Sequence, residues 1–354
     1  MPIHASIAVL AADSDLAKVV AQQISQYQSF VAQDQVDNNE ADPAITFGRI
    51  STLTAIAAEP ELFDPIQLGS YLAWGADVAL LVVDSSIGLD GETIKLAQEV
   101  SQLHPLMVAV TGLDSPRSNF DETLAVISRV MDQQHHAVAL TLPVLSESQE
   151  DEEPDVGGIL DLVDLEIRIT GPGGESIQHE LEEAHFDLIE THLEALTDAV
   201  IVTSTDENLI HSILEDGFES AEQLRDQLLS ATARREIIPV FAITDSIGIS
   251  ELVKFARALH CEEWTPTPVR SDEFLASAIG HGRIRIWRGE LNVGTYFADN
   301  VEMKINQITS LGGAKKAASF AGDIVEISAD HDTPTGSTIS SEKSIPLTIS
   351  HAFE

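Results

Sequence analysis

The sequence is poor in positive charge. Its 354 residues carry 19 Lys and Arg against 58 Asp and Glu, a formal net charge of −39. Sequence-independent binding to nucleic-acid backbones needs clustered Lys and Arg to displace counterions from phosphates. The balance excludes that function as a general property, and it equally opposes docking on an anionic membrane. A single cysteine, Cys261, excludes an internal disulfide framework and a cysteine-based zinc site. No apolar run reaches the roughly 18 residues of a membrane span, and the N-terminus lacks the basic start of a signal peptide. The expected compartment is the cytoplasm.

Apolar residues are not scarce. They make up 44% of the chain, with a mean hydropathy of +0.05, enough to build cores despite the charge. The length points to two or three domains. The acidity is uneven: residues 1–280 hold 49 acidic and 12 basic residues, whereas residues 281–354 hold 9 and 7. Such a shift in electrostatic character marks a candidate domain boundary.

Periodicity gives the organisation. Ser6–Leu10 reads as a buried strand, followed by a polar turn and a helix to about Ser25. Gln33–Asp42 reads as a loop, Ile45–Ala57 as a strand and Ile66–Trp74 as a helix. D-V-A-L-L-V-V-D at 77–84 suits a central parallel strand covered on both faces. Helices are expected over Glu92–Leu103 and Phe120–Asp132, with strands at Leu106–Val110 and Val138–Leu142. This alternation points to an α/β fold with a parallel sheet. Ser146–Asp155 reads as an acidic loop, and G-P-G-G at 171–174 as a hairpin turn between Leu160–Ile169 and Ser176–Leu181. Helices are expected at Phe186–Leu196, Glu222–Arg234 and Ile249–Leu259, and a strand at Ile237–Ile243. T-P-T-P at 265–268 reads as a linker. Short alternating segments follow at Arg283–Arg288, Glu302–Ile308, Ile324–Ile327 and Pro346–Ile349, the pattern of a small β-barrel.

Several passages resemble one family. G-A-D-V-A-L-L-V-V-D-S-S-I-G-L-D-G-E-T at 75–93 is similar to the strand and turn after switch II in bacterial elongation factor G and its translational-GTPase relatives. L-T-L-P-V-L at 140–145 and G-G-I-L-D-L-V-D at 157–164 resemble the insert subdomain of elongation factor G, and A-R-R-E-I-I-P-V-F at 233–241 the helix and strand before its last nucleotide motif. G-R-I-R-I-W-R-G-E-L-N-V-G-T at 282–295, A-G-D-I-V-E-I at 321–327 and P-T-G-S-T-I at 334–339 resemble its second-domain barrel. The resemblance runs in order along essentially the whole chain and covers the family's first two domains. It implies a P-loop GTPase-like α/β domain over 1–264, with an inserted subdomain over about 140–235, and a translation-factor-type β-barrel over 265–354.

The motifs that carry GTPase chemistry depart from the family. A phosphate loop needs glycines for close backbone approach, a Lys for the β/γ-phosphates and a hydroxyl for Mg²⁺. The matching stretch is A-D-S-D-L-A-K-V at 12–19. Ala12 is tolerated in the family and Lys18 is kept, but Ala17 replaces the second glycine and Val19 the hydroxyl residue. Asp13 and Asp15 add negative charge where a triphosphate would sit. Thr46, in P-A-I-T-F-G at 43–48, falls on the switch I threonine, although a β-prone Thr at a strand start is the simpler reading. Where the family has D-T-P-G-H, this chain has A-E-P-E-L at 58–62, with Leu62 at the water-orienting His and Glu61 at the γ-phosphate Gly. N-K-x-D becomes T-G-L-D at 111–114, keeping Asp114, and the last motif reads T-D at 244–245. A hydrogen bond to a charged group is worth roughly 1.5–3 kcal/mol. Losing about four of them removes on the order of 10⁴–10⁹ in affinity.

Other candidates are weaker. His135 and His136 have no third ligand at metal spacing, so no metal site is expected. Glu262 and Glu263 beside Cys261 oppose a thiolate, and E-D-E-E at 150–153 lacks EF-hand spacing. Arg283, Arg285, Arg288, Lys315 and Lys316 form the best basic set. The resemblance implies a barrel facing the small ribosomal subunit, while ordinary strand surface charge is the competing reading. The leading expectation is an elongation factor G-like pseudo-GTPase without a catalytic residue or a bound cofactor, acting on the ribosome or a translation factor. One alternative is a GTP-binding factor that uses Mg²⁺ and rests on Lys18, Thr46 and Asp114. The other is an acidic protein–protein adaptor.

Overall fold

Residues Val78–Asp84 form a strand whose first six side chains are all buried, as a strand covered on both faces requires. The computed structural model describes residues 5–11, 13–37, 53–57, 75–131, 135–145, 156–170, 176–181, 183–244, 247–259, 274–280, 282–310, 313–334 and 336–343. In chain order the elements begin with β1 (Ala5–Leu10), α1 (Ser14–Asp37), β2 (Leu53–Ala57), β3 (Val78–Asp84), α2 (Gly91–Leu103), β4 (Leu106–Thr111), α3 (Phe120–Val130) and β5 (His136–Ala139). Then come β6 (Thr141–Leu145), β7 (Val156–Asp161), β8 (Glu166–Thr170), β9 (Ser176–Glu180), α4 (Glu183–Thr203), α5 (Glu207–Asp216), α6 (Ala221–Ala233), β10 (Ile237–Ala242) and α7 (Ile249–Ala258). The last stretch is all strand: β11 (Leu275–Gly280), β12 (Arg283–Arg288), β13 (Glu290–Asn292), β14 (Gly294–Ala298), β15 (Val301–Ser310), β16 (Lys315–Lys316), β17 (Ala318–Phe320), β18 (Ile324–Ala329) and β19 (Thr338–Ser340).

The six-stranded sheet runs β2-β1-β3-β4-β10-β5. β1 pairs with β2, and β10 with β4 and β5, all in parallel. Parallel neighbours need a crossover, and between β5 and β10 that crossover is a subdomain of its own. It holds the antiparallel sheet β6-β7-β8-β9 and helices α4 to α6. Leu140 marks the change of sheet: its N–H donates to the Val240 carbonyl at 2.8 Å, and its own carbonyl accepts from Leu162 N–H at 2.9 Å. Helix starts follow their caps. Asp90 accepts from Thr93 N–H at the start of α2, Asn119 from Glu122 N–H at α3, and Ser220 from Gln223 N–H at α6.

The barrel order is β14-β19-β11-β12-β18-β15, and pairing of β14 with β15 closes it. Ile284, Ile286, Ile305 and Val325 fill its interior, alternating with outward polar residues. The Phe274 and Tyr296 rings meet edge-on at 5.0 Å, and the Tyr296 hydroxyl accepts from Asn292 N–H. By its contacts the chain divides into two compact units: Met1–Val9 with Lys18–Ala79 and His260–Glu354, and Leu10–Ala17 with Leu80–Leu259. Among the described residues no helix is long and apolar enough to cross a membrane.

The expected α/β fold with a following barrel is the fold found, with local corrections. Helix α1 runs on to Asp37, through the start of the stretch read as a loop. The single strand read at Val138–Leu142 is two strands, broken where Leu140 changes sheet. The strand read at Leu160–Ile169 is interrupted by a turn at 162–165. Asp161 builds that turn by accepting from the N–H groups of Val163 and Asp164, and Leu165 takes φ +54°. Helix α5, capped by Asp206, was not read from the sequence. The helix read at 66–74, the linker at 265–268 and the strand at 346–349 lie outside the described residues.

Two carboxylates sit where the inserted subdomain meets α7. Arg168 on β8 reaches Glu251 at 2.7 Å, and the Glu251 side chain is almost fully buried. Without Glu251, Arg168 keeps among the described residues only the longer contact to Glu166 at 3.8 Å, so Glu251→Ala is expected to lower unfolding free energy by about 2 kcal/mol in urea titration. A loss below about 1 kcal/mol would show that the pair behaves as a surface contact. Burial is the largest influence on Asp161 and raises its carboxyl pKa, against the two backbone hydrogen bonds that lower it. A folded-state pKa above the unfolded one makes ionisation unfavourable to folding, and the loss disappears as pH falls through the folded pKa. Asp161→Asn keeps the acceptor, so it is expected to be neutral or stabilising at pH 7, with its advantage shrinking at lower pH.

Candidate nucleotide site

β1 ends at the buried Leu10, followed by the buried Ala11, and α1 begins at Ser14. The first amides of a helix have no partner within it and form a natural anion site. Here Asp13 supplies that anion from within the chain: its Oδ1 accepts from Asp15 N–H at 2.8 Å, and its carbonyl accepts from Ala17 N–H at 3.3 Å. Ala17 is fully buried. Lys18 is exposed, and Val19, which the sequence resemblance aligns with the Mg²⁺-binding hydroxyl, is half exposed. Ala12, Thr46, the stretch 58–62 and Asp245 lie outside the described residues.

The ends of β3, β4 and β10 are hydrogen-bonded to one another. Ser85 N–H donates to the Thr111 carbonyl, and Ile243 N–H to the Val110 carbonyl, both at 2.9 Å. The Ser85 hydroxyl lies 3.0 Å from that of Thr123 and accepts from Asn119 N–H, which joins the start of α3 to the same edge. At the tip of β3 the Asp84 Oδ1 accepts from both the N–H (2.8 Å) and the hydroxyl (2.6 Å) of Ser86. Opposite stands Gly112, with φ +67°. A Cβ at 112 would lie 2.2 Å from Asp84 Oδ1 and 2.9 Å from its Cγ. Position 112, which the sequence resemblance aligns with the Lys of N-K-x-D, therefore admits no side chain unless Asp84 leaves Ser86. Asp114 is exposed two residues on. Near the last motif, Thr244 N–H donates to the Ile247 carbonyl.

The basic set on the barrel separates. Register places Arg283 opposite Glu326, Glu326 opposite Thr309, and Thr309 opposite Lys315, one row across four strands. Directly opposed residues share a face. Arg283 pairs with Glu326 at 3.2 Å, and Lys316 with Asp323 at 3.0 Å. Lys315 is exposed and Arg288 partly buried. Arg285 does not join the surface row. Its side chain is 4% exposed, bonds Asp77 at 2.8 Å and lies over the Trp287 ring at 4.0 Å, while Trp287 donates its indole N–H to Ser277 Oγ. Sequence reading missed Asp77 as the partner of Arg285 and Asp84 as the group facing Gly112. The glycine at the Lys position of N-K-x-D was the available signal for the second. No cluster of three or more metal-ligating side chains occurs among the described residues.

Comparison with known proteins agrees with this architecture. No family model matches the chain. Two curated proteins, each named an elongation factor G-like protein and from different strains of Mycobacterium tuberculosis, are 29% identical over 185 residues. That match takes in 50% of this chain and 23% of theirs. A crystal structure of a protein from Thermus thermophilus superposes on 98% of this chain and 55% of its own with a TM-score of 0.67 at 16% identity, a likeness of fold. Over half its length the chain is similar to the elongation factor G-like proteins, and it spans only part of the length of the proteins it matches.

A side chain at 112 would combine a left-handed backbone with displacement of Asp84. Gly112→Ala is expected to reduce stability by about 1–3 kcal/mol in thermal or urea unfolding. An unchanged midpoint would mean that the Asp84 carboxylate moves aside freely.

Proposed function

We propose that the chain is a nucleotide-independent, elongation factor G-like module that binds the ribosome or another translation factor without hydrolysing GTP. The observation that supports this most is the Asp84 carboxylate seated against Gly112, where the guanine-recognition motif carries a Lys. The Asp13 cap on the first turn of α1 adds to it, because an anion in place already opposes a phosphate. At Ala17, Val19, Glu61 and Leu62 the residue types also lack the phosphate, Mg²⁺ and water contacts that GTP hydrolysis needs. On this reading residues 1–264 are the scaffold and residues 265–354 the near-neutral contact domain. Arg283 and Lys315 are its outward cations, while Lys316 pairs with Asp323 and Arg285 serves the fold.

A GTP-binding reading keeps one supporting observation: Lys18 and Asp114 are both exposed. An acidic adaptor would instead pair with a basic partner, with an affinity that falls steeply with salt.

Co-sedimentation with ribosomes at physiological salt tests the proposal. The protein is expected in the pellet to the same extent with no nucleotide, GDP or a non-hydrolysable GTP analogue. Arg283→Glu with Lys315→Glu is expected to shift most of it to the supernatant. Protein wholly in the supernatant, together with no capture of a purified translation factor, would overturn the reading.

A further inference from the structure

A hollow of about 590 Å³ lies beside the turn between β4 and α3. It falls in the range of small-molecule sites, roughly 300–1,000 Å³. Its walls are apolar and come from four elements: Phe120 on α3, Leu142 and Val144 on β6, Val156 and Leu160 on β7, and Ile189 on α4. Ile189, Leu160, Phe120 and Leu142 are buried, so the deep part is built from well-packed side chains.

The polar lining residues gather on one side. Ser118 and Asn119 are engaged in the turn: the Ser118 hydroxyl donates to the Leu113 carbonyl at 2.8 Å, and Asn119 Oδ1 accepts from Glu122 N–H at 3.0 Å. The side chains left facing the hollow are Asp121 and His192, with Nε2 and Oδ1 3.3 Å apart. Asp121 is 74% exposed and His192 18%, which puts the carboxylate at the mouth and the imidazole further in. The field around them has one sign. Residues 80–259 carry 35 Asp and Glu against 9 Lys and Arg, a balance of −26. The positive end of α3 is already met by Asp121 and Glu122 in its first turn. An anionic head would be repelled at this mouth and a cationic head drawn to it.

From this arrangement we infer that the hollow binds a small amphipathic amine, with an apolar ring or chain between β6, β7 and α4 and its ammonium on the Asp121 carboxylate beside His192. Leu113, within the T-G-L-D stretch at 111–114, also lines the hollow, and the inference does not depend on whether that stretch binds GTP.

Three probes of one shape test this on the full chain: 4-phenylbutylamine, 4-phenylbutanol and 4-phenylbutanoate, titrated by ligand-observed NMR at low and at physiological salt. The amine is expected to bind tightest, the alcohol about threefold to fivefold more weakly, and the carboxylate not at all. Asp121→Asn should remove the advantage of the amine and leave the alcohol unchanged. Ile189→Trp should abolish binding of both by filling the hollow. Because Ile189 is a core residue, Val144→Phe, at a partly exposed wall position, repeats that test with circular dichroism as the check on folding. Binding of the carboxylate as tight as the amine, an amine affinity unmoved in Asp121→Asn, or no binding of any probe at millimolar concentration would overturn the inference.

Discussion

The contact between the Asp84 carboxylate and the α-carbon of Gly112 is the constraint on which the account of this molecule turns. A glycine at 112 is required twice over, by its left-handed backbone and by the carboxylate in the space of a Cβ. The carboxylate is held in turn by the amide and hydroxyl of Ser86. The neighbouring Ser85 hydrogen-bonds to the end of β4 and to the start of α3. The ends of β3 and β4 and the start of α3 are thus tied together by their own hydrogen bonds. A side chain at 112 would have to displace the Asp84 carboxylate from Ser86.

The same logic runs through the charge of the chain. The excess of carboxylates is more than a solvated coat, since some perform local structural work that lysines, glycines or ligands perform elsewhere. Asp13 caps α1, Asp161 builds the turn after β7, and Glu251 on α7 pairs with Arg168. Asp77 holds Arg285, one of the few cations available to the barrel. What remains outward on the barrel is a short row alternating in sign, Arg283 and Lys315 flanking Glu326. That surface suits a specific contact more than a general affinity for polyanions.

The periodic elements were legible because burial dictates them. The run at 77–84 has no polar interruption and can only be a central strand, and the alternation around Arg283–Arg288 and Glu302–Ile308 is that of a barrel wall. Three features were not legible, each for a physical reason. Leu140 changes sheets in mid-run, and both sheets want the same apolar residues on either side of it. The turn at 162–165 has no glycine or proline, because the Asp161 side chain substitutes for them. Arg285 alternates outward like its neighbours Arg283 and Trp287, so only the fold could reveal that Asp77, 208 positions away, meets it there. Within the candidate site, the departures from the family's motifs at 17, 19 and 112 are read from the sequence. The contacts made there, Asp13 on the first turn of α1 and Asp84 against Gly112, needed coordinates.

The proposal is of a GTPase-like scaffold whose nucleotide pocket is satisfied from within. Isothermal titration of the full chain with GTP and with GDP, each with excess Mg²⁺, tests it most directly. The account predicts no saturable heat at millimolar nucleotide. Stoichiometric binding at micromolar concentration, dependent on Lys18 and Asp114, would contradict it.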